Sequence, residues 1–86
     1  MQRRLSVIVP TCNRPDQLAT ALDSIRALEG PDLSIEIIVG DNGSCSRTPE
    51  VAASYGARYV KVTRPGASES RNAAMALATG DYLGFL

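Results

Sequence analysis

Strand-like runs of β-branched residues alternate with helical segments along the whole chain, and this alternation constrains the fold most. The first run, residues 5–9, has little polar alternation, which is typical of a parallel strand covered on both faces. Leu18, Leu22 and Ile25 then recur at helical spacing. Further strand-like runs lie at 35–39, 59–63 and 82–86. This order predicts an α/β fold with right-handed crossovers and an open, mostly parallel sheet.

Residues that favour the ends of strands and helices stand at several predicted boundaries. Pro10 is expected to end the first strand, because proline cannot donate to a strand ladder. Asn13 is expected to cap the first helix. Thr48 is expected to cap the second helix, and Ser68 or Ser70 to open the third.

The composition indicates a single globular domain without a strongly charged partner. The chain has 86 residues, of which 44% are hydrophobic and 21% charged, and these values argue against disorder. Nine basic residues balance nine acidic ones, so no net field favours nucleic acid or an anionic membrane surface. The sequence has no apolar run long enough to span a bilayer, and we expect a cytoplasmic location.

The chain has two cysteines, Cys12 and Cys45, and no histidine. This composition argues against a structural zinc site and excludes a Ser-His-Asp or Cys-His mechanism within the chain. Both cysteines follow predicted strands, so they are expected at one end of the sheet. In a reducing compartment they are expected to be free thiols.

Three loops follow predicted strands, at residues 10–14, 41–47 and 64–71. In an open parallel sheet, ligands bind just beyond the carboxyl ends of the strands. Asp41 can accept an N–H group from a base, and Arg71, in the first turn of a helix, can donate to a diphosphate. The three loops together therefore predict a crevice that suits a nucleotide.

Each of these residues also has a purely structural explanation. Asp41 begins a turn-forming sequence, and Asn13 can act only as a helix cap. Arg71 can be a solvated helix residue that pairs with Glu69 or Asp81. Solvated positions are expected for Asp16, Glu36, Glu50 and Lys61, and core or rim packing for Tyr55, Tyr59 and Tyr82.

The loops and their flanking strands, taken in order, resemble family 2 glycosyltransferases, which are inverting enzymes with a GT-A fold. The resemblance lies in the order and spacing of the segments, which extend over nearly the whole chain. The matching segments are Ser-Val-Ile-Val-Pro-Thr-Cys-Asn-Arg-Pro at 6–15, Ile-Ile-Val-Gly-Asp-Asn-Gly-Ser at 37–44, Pro-Gly-Ala-Ser-Glu-Ser-Arg-Asn-Ala-Ala at 65–74, and Ala-Thr-Gly-Asp-Tyr-Leu-Gly-Phe-Leu at 78–86. The resemblance implies a Rossmann-like βαβαβαβ order, as in the first part of a GT-A fold.

The resemblance also implies that a sugar nucleotide, most often a UDP-sugar, lies over the three loops. Asp41, with Asn42, would hydrogen-bond the edge of the base, and Arg71 would reach the base or the diphosphate. Where this chain has Cys12, family members often carry an aromatic residue that stacks on the base, and a thiol cannot replace that stack. The expected nucleotide-binding residues are Pro10, Thr11, Cys12, Asn13, Arg14, Asp41, Asn42 and Arg71.

In the family, the strand that matches residues 82–86 leads directly into an acidic Asp-x-Asp cluster that holds Mg²⁺ or Mn²⁺, and the general base follows later. Neither feature is within residues 1–86. We therefore expect a single partial domain that binds the nucleotide-sugar, holds no metal, has no catalytic residue and does not itself transfer sugar. The family's sheet order places the fourth strand beside the first as an exposed apolar edge, which predicts self-association.

Two other functional classes stand beside this interpretation. One is a non-catalytic small α/β nucleotide-binding or regulatory module, and the other is an excised folding unit without measurable ligand affinity. The sequence has neither G-x-G-x-x-G after the first strand nor G-x-x-x-x-G-K-[ST], which argues against a nicotinamide dehydrogenase and a P-loop NTPase.

Overall fold

The computed structural model of the chain describes residues 3–64 and 66–86. Strands and helices alternate as the sequence predicts, and Pro65, which belongs to the third loop, lies outside the described residues. The elements are β1 (Arg3–Thr11), α1 (Pro15–Arg26), β2 (Leu33–Asp41), α2 (Arg47–Ser54), β3 (Arg58–Lys61), α3 (Ala67–Met75) and β4 (Tyr82–Phe85). Within the described ranges, we find no helix with the length and apolar character needed to cross a membrane.

The four strands form one fully parallel sheet in the order β3-β2-β1-β4, which confirms the predicted place of the fourth strand beside the first. Strands β1 and β2 pair along their whole length, from Arg3 opposite Leu33 to Thr11 opposite Asp41. The chain proceeds outward from β1 to β3 and then returns to the other side of β1 with β4. The sheet order therefore reverses between β1 and β4, which is where α/β folds of this kind bind ligands.

The two faces of the sheet carry separate apolar clusters. Residues of α1 and α2 pack against one face, and the predicted stripe of Leu18, Leu22 and Ile25 is fully within this larger cluster. On the opposite face, Ala74 of α3 packs against Ile8 and Ile38. Because both faces are covered, the central strands have buried residues on both sides, as their sequence predicts.

The prediction that Pro10 ends the first strand was wrong, because β1 continues through Pro10 to Thr11. Thr11 accepts a hydrogen bond from Asn42 on the β2 side, whereas Ile8 accepts one from Leu86 on the β4 side. Backbone groups of successive residues point alternately to the two neighbours. The nitrogen of Pro10 therefore points toward β4, beyond the last pair of residues between these strands, and its missing N–H removes no bond of the β1–β2 ladder.

Both predicted helix caps were also wrong. The residue before α1 is Arg14, and no side chain caps this helix. Helix α2 begins at Arg47, so Thr48 is inside the helix and fully buried. Helix α3 begins at Ala67, so Ser68 and Ser70, one of which was expected to open the helix, both lie inside it.

The expectation that Glu36 is solvated was wrong, because Glu36 is 6% exposed. It lies opposite Ser6 in the β1–β2 register, on the face of the sheet that α3 covers. Its Oε1 accepts hydrogen bonds from the Ser6 hydroxyl at 2.8 Å and from the backbone N–H of Thr79 at 2.9 Å. The Ser6 hydroxyl in turn accepts a bond from the N–H of Gly80. Glu36 therefore holds the α3–β4 connection against the sheet.

The surroundings of Glu36 also stabilise its charge. Burial opposes ionisation, but hydrogen bonds from the Thr79 backbone, from the Ser6 and Thr79 hydroxyls and from Arg4 outweigh burial and lower the pKa of Glu36 to about 2. Arg4 and Arg58 lie 3.3 and 3.5 Å from Oε2. A carboxylate with several donors and two cations is the arrangement in which a buried acid stays ionised.

We predict that Glu36→Gln lowers the free energy of unfolding by about 2–3 kcal/mol at pH 7, because an amide cannot accept from all these donors. The pKa is lower in the folded than in the unfolded chain, so the contribution of Glu36 is fully present above its ordinary pKa of 4.5 and is lost as pH falls toward 2. Urea denaturation of both proteins between pH 7 and pH 2 should show the difference shrinking below pH 4.5. A difference that does not change with pH would contradict this account.

Candidate functional site

A cleft of about 480 Å³ lies at the carboxyl end of β1, where the sheet order reverses. Its volume is within the range of small-ligand sites. The end of β1 and the loops after β1 and β2 form one wall, and the first two turns of α1 form another. Single residues of α3 and of the chain beyond β4 complete the cleft. The lining residues are Val9, Pro10, Thr11, Cys12, Arg14, Gln17, Leu18, Ala21, Asn42, Ser70 and Leu86.

Asn13 connects the loop after β1 to the loop after β2. Its Oδ1 accepts hydrogen bonds from the backbone N–H groups of Ser44 at 2.7 Å and Cys45 at 2.9 Å. Its φ of 52° is in the left-handed region, which asparagine tolerates better than most residues. A Cβ on Gly43 would overlap Asn13, so the two loops are in direct contact. Asn13 therefore joins the loops and does not cap α1.

Asp41 lies beneath the loops and is fully buried. Its Oδ1 accepts from the N–H of Gly43 at 2.8 Å, and its Oδ2 accepts from the Tyr59 hydroxyl at 2.6 Å. Burial and this bond to the carboxylate raise the pKa of Tyr59 to about 12. Lys61, which is about half exposed, has its Nζ 4.0 Å from the same Oδ2. Asp41 thus fixes the start of its own loop against β3.

Asn42 connects the second loop to the third. Its Nδ2 donates to the carbonyl of Gly66 at 3.3 Å, and its backbone N–H donates to Thr11. Nearby, the backbone of Ser70 approaches β2 so closely that a Cβ on Gly40 would overlap it. Glycine at position 40 therefore allows α3 to lie directly on the sheet beside the cleft.

The structure brings together most of the residues that the sequence proposed for nucleotide binding. Five line the cleft, and these are Pro10, Thr11, Cys12, Arg14 and Asn42. Asn13 and Asp41 are not among the lining residues, and their side chains hold the loops by hydrogen bonds. Arg71 is exposed on α3 and is not one of the lining residues. The binding roles of all eight residues stay predictions.

Sequence reasoning missed the lining residues that come from helices. Gln17 and Ala21 of α1 continue the face that begins at Arg14, and the helical spacing of these positions is the signal that could have identified them. In the sequence, Ser70 is indicated only as a residue that opens the third helix. The residues next to it in the sequence do not indicate that it lines the cleft. Arg14 places a positive charge in the lining, which favours an anionic ligand.

Within residues 3–64 and 66–86, no three side chains of the histidine, cysteine, aspartate and glutamate classes lie close enough together to hold a metal ion. Cys12 is exposed in the cleft lining, Cys45 is half-buried, and both are free thiols. The residues that the structure describes therefore offer polar and cationic groups to a ligand but no metal site.

Comparison with other sequences identifies one family. The profile described as Glycosyl transferase family 2 matches residues 6–86. The chain is 33% identical to the uncharacterized glycosyltransferase YibD of Escherichia coli, over 96% of this chain and 25% of that protein. It is 34% identical to the low-salt glycan biosynthesis hexosyltransferase Agl6 of Haloferax volcanii, over 92% of this chain and 19% of that protein. The chain spans only about a fifth to a quarter of these relatives.

Solved structures support the same relationship. The chain matches glucosyl-3-phosphoglycerate synthase from Mycobacterium tuberculosis, in a complex with Mn²⁺, UDP and glucosyl-3-phosphoglycerate, with a TM-score of 0.78 and 32% identity. This match covers 98% of the chain and 33% of the synthase. A complex of the same synthase with Mn²⁺, UDP-glucose and phosphoglyceric acid also has a TM-score of 0.78, at 30% identity. The predicted α/β fold of GT-A type is confirmed.

We predict that Asn13→Ala lowers the free energy of unfolding by about 1–3 kcal/mol, because it removes two hydrogen bonds and puts alanine at positive φ. Asn13→Gly removes the same hydrogen bonds but tolerates the backbone conformation, so it should cost less. Urea denaturation of the three proteins separates the two contributions. Equal stability of Asn13→Ala and the unsubstituted chain would show that the hydrogen bonds of Asn13 between the loops do not contribute to the free energy of unfolding.

Proposed function

Because this chain belongs to glycosyl transferase family 2, we propose that its cleft binds the nucleotide of an activated sugar donor for an inverting glycosyltransferase. The observation that carries this proposal is the cleft at the reversal of sheet order, lined by five of the eight residues expected to bind the nucleotide from the sequence and its family resemblance. UDP is the nucleotide of choice for a first test, since complexes of the structurally similar synthase contain it. We also propose that a whole enzyme containing this chain transfers the sugar from the nucleotide to an acceptor.

The polarity of the cleft suggests how a nucleotide would lie in it. Arg14 is exposed at the mouth and can form charge-assisted hydrogen bonds with the diphosphate. Pro10 and Cys12 offer apolar contact to the base, without the aromatic stack found in many family members. Arg71, exposed on α3, is proposed as a second cation for the diphosphate and does not need to line the cleft in the absence of ligand.

Asp41 and Asn13 are proposed as positioning residues. The sequence-based hypothesis has Asp41 accept an N–H from the base, but both of its oxygens already accept bonds from within the chain, and its side chain is buried. Direct contact with a base would require the second loop to open. We therefore assign to Asp41 the role of holding the loop so that Asn42 lies in the cleft wall.

The Mg²⁺ or Mn²⁺ expected of the family is not assigned to the described residues. Complexes of the similar synthase contain Mn²⁺, but the residues described here do not form a cluster that fits a divalent cation. We therefore propose that these residues bind the donor nucleotide and do not by themselves transfer sugar. Turnover of a nucleotide-sugar by the isolated chain would contradict this division.

Binding of UDP should raise the melting temperature of the chain in proportion to the logarithm of UDP concentration, because the folded state alone presents the cleft. Arg14→Gln should weaken UDP binding about tenfold, since it removes a charged donor. Isothermal titration calorimetry and thermal denaturation measure the two effects.

Arg3→Gln is the matched control, because it removes the same charge at the opposite end of β1, where Arg3 lies 5.9 Å from the centroid of the Tyr82 ring. It should leave UDP affinity unchanged. Equal weakening by the two substitutions would indicate a general charge effect, and no stabilisation by UDP would favour a folding unit without ligand affinity.

We also propose that the chain self-associates through β4. This strand is an edge of the sheet, and its exposed apolar residues are Tyr82, Leu83 and Phe85, with Leu86 beyond it. Unpaired edges of this kind pair with other chains. The mass measured by light scattering should rise with concentration, and Leu83→Lys should suppress the rise.

Leu28→Lys is the control for this experiment, because Leu28 is exposed just after the end of α1 and belongs to no strand. It should leave the association unchanged. A monomer at high concentration would refute self-association through β4.

A further inference from the structure

Two hydroxyl groups in the described residues are buried without a hydrogen-bond partner, those of Thr48 and Ser70. Such groups are uncommon in folded proteins, because a buried donor that loses water and gains no partner is destabilising. Thr48 is inside α2 and does not line the cleft. Ser70 does line the cleft, although the residue is only 1% exposed. The Ser70 Oγ is itself inaccessible to water, so its side chain must rotate toward the cleft for the hydroxyl to meet a partner outside the chain.

The backbone around Ser70 is held firmly in place. Helix α3 lies so close to β2 that a Cβ on Gly40 would overlap the Ser70 backbone. Ala74, one turn later, is fully buried against Ile8 and Ile38. The Ser70 Oγ, in contrast, moves when the side chain rotates about the Cα–Cβ bond. In the absence of ligand, this rotation breaks no hydrogen bond within the described part of the chain. Ser70 therefore combines a backbone that is fixed by packing with a hydroxyl group that has no hydrogen-bond partner in the described part of the chain.

We propose that the Ser70 hydroxyl donates a hydrogen bond to the base of the bound nucleotide. This inference rests on the proposed function of the cleft and assigns a specificity residue to it. A carbonyl oxygen of the base would give the hydroxyl the partner that it lacks in the unliganded chain. Binding would then gain a hydrogen bond for which no protein hydrogen bond is lost.

Burial within the cleft favours the base over the diphosphate as this partner. The three most buried lining residues are Val9, Leu18 and Ser70, and two of them are aliphatic. A charged diphosphate buried among these residues would lose much more hydration free energy than a neutral base. Arg14, the cation of the lining, is exposed. The base therefore belongs beside Ser70, and the diphosphate belongs at the mouth.

Ser70→Ala tests this assignment, and Thr48→Val is its matched control, because each removes one buried hydroxyl that has no partner and retains a similar shape. Neither substitution should lower the melting temperature of the unliganded chain, since neither breaks a hydrogen bond. Ser70→Ala should weaken the binding of both uridine and UDP, by the same factor of about fivefold to tenfold. Thr48→Val should leave both affinities unchanged. NMR titration gives the affinity for uridine, and calorimetry gives that for UDP.

Three results would overturn the assignment. Unchanged affinity of Ser70→Ala for both ligands would show that the hydroxyl does not contact the nucleotide, while UDP binding by the unsubstituted chain would leave the proposed function intact. Weaker binding of UDP alone would place the contact at the phosphates. Failure of the unsubstituted chain to bind UDP or uridine would overturn both the proposed function and this inference.

Discussion

The full-length parallel pairing of β1 with β2 is the constraint on which the other features depend. This pairing sets Ser6 opposite Glu36 and Thr11 opposite Asp41. The first pair anchors the α3–β4 connection, and the second places two loops side by side at the carboxyl end of the sheet. A shift of one residue in this register would exchange the faces of every side chain on one strand. The buried carboxylate and the contact between the loops would then be lost together.

The polar residues at this end of the sheet divide into those that hold the loops and those that face the cleft. Asn13 and Asp41 direct their side-chain oxygens at donors within the chain. Arg14 and Ser70 line the cleft, one exposed and one buried. This division explains why loops without regular structure can present a defined wall to a ligand. It also means that a residue's position in a family motif does not by itself tell whether that residue lines the cleft.

The fold was predictable because its signals are periodic and local. The strand-helix alternation, the stripe of α1 and the place of β4 beside β1 all followed from the sequence and the family resemblance. The site residues were harder to assign, because their roles depend on partners far along the chain. Asn13 resembles a helix cap until the backbone of Ser44 is brought beside it, 31 residues later in the sequence.

Glu36 and Pro10 show the same limitation within the strands. Average exposure of glutamate predicts a solvated position, but a strand covered on both faces offers no such position at Glu36. Proline is expected to interrupt a strand, yet whether it does depends on which neighbour its nitrogen faces. These outcomes depend on tertiary contacts, and the average preferences of single residue types carry no information about such contacts.

The sheet order has a consequence for the order in which the strands can assemble during synthesis. Strand β1 leaves the ribosome first, and β2 follows after one helix, so β1 can pair with β2 early in synthesis. The other edge of β1 cannot pair until Tyr82 and the residues after it have been synthesised. At the usual pace of translation, the roughly 70 intervening residues take on the order of 4–14 s. Throughout that interval β1, which lies between β2 and β4 in this sheet, has one unpaired edge that is open to chaperones and to other nascent chains.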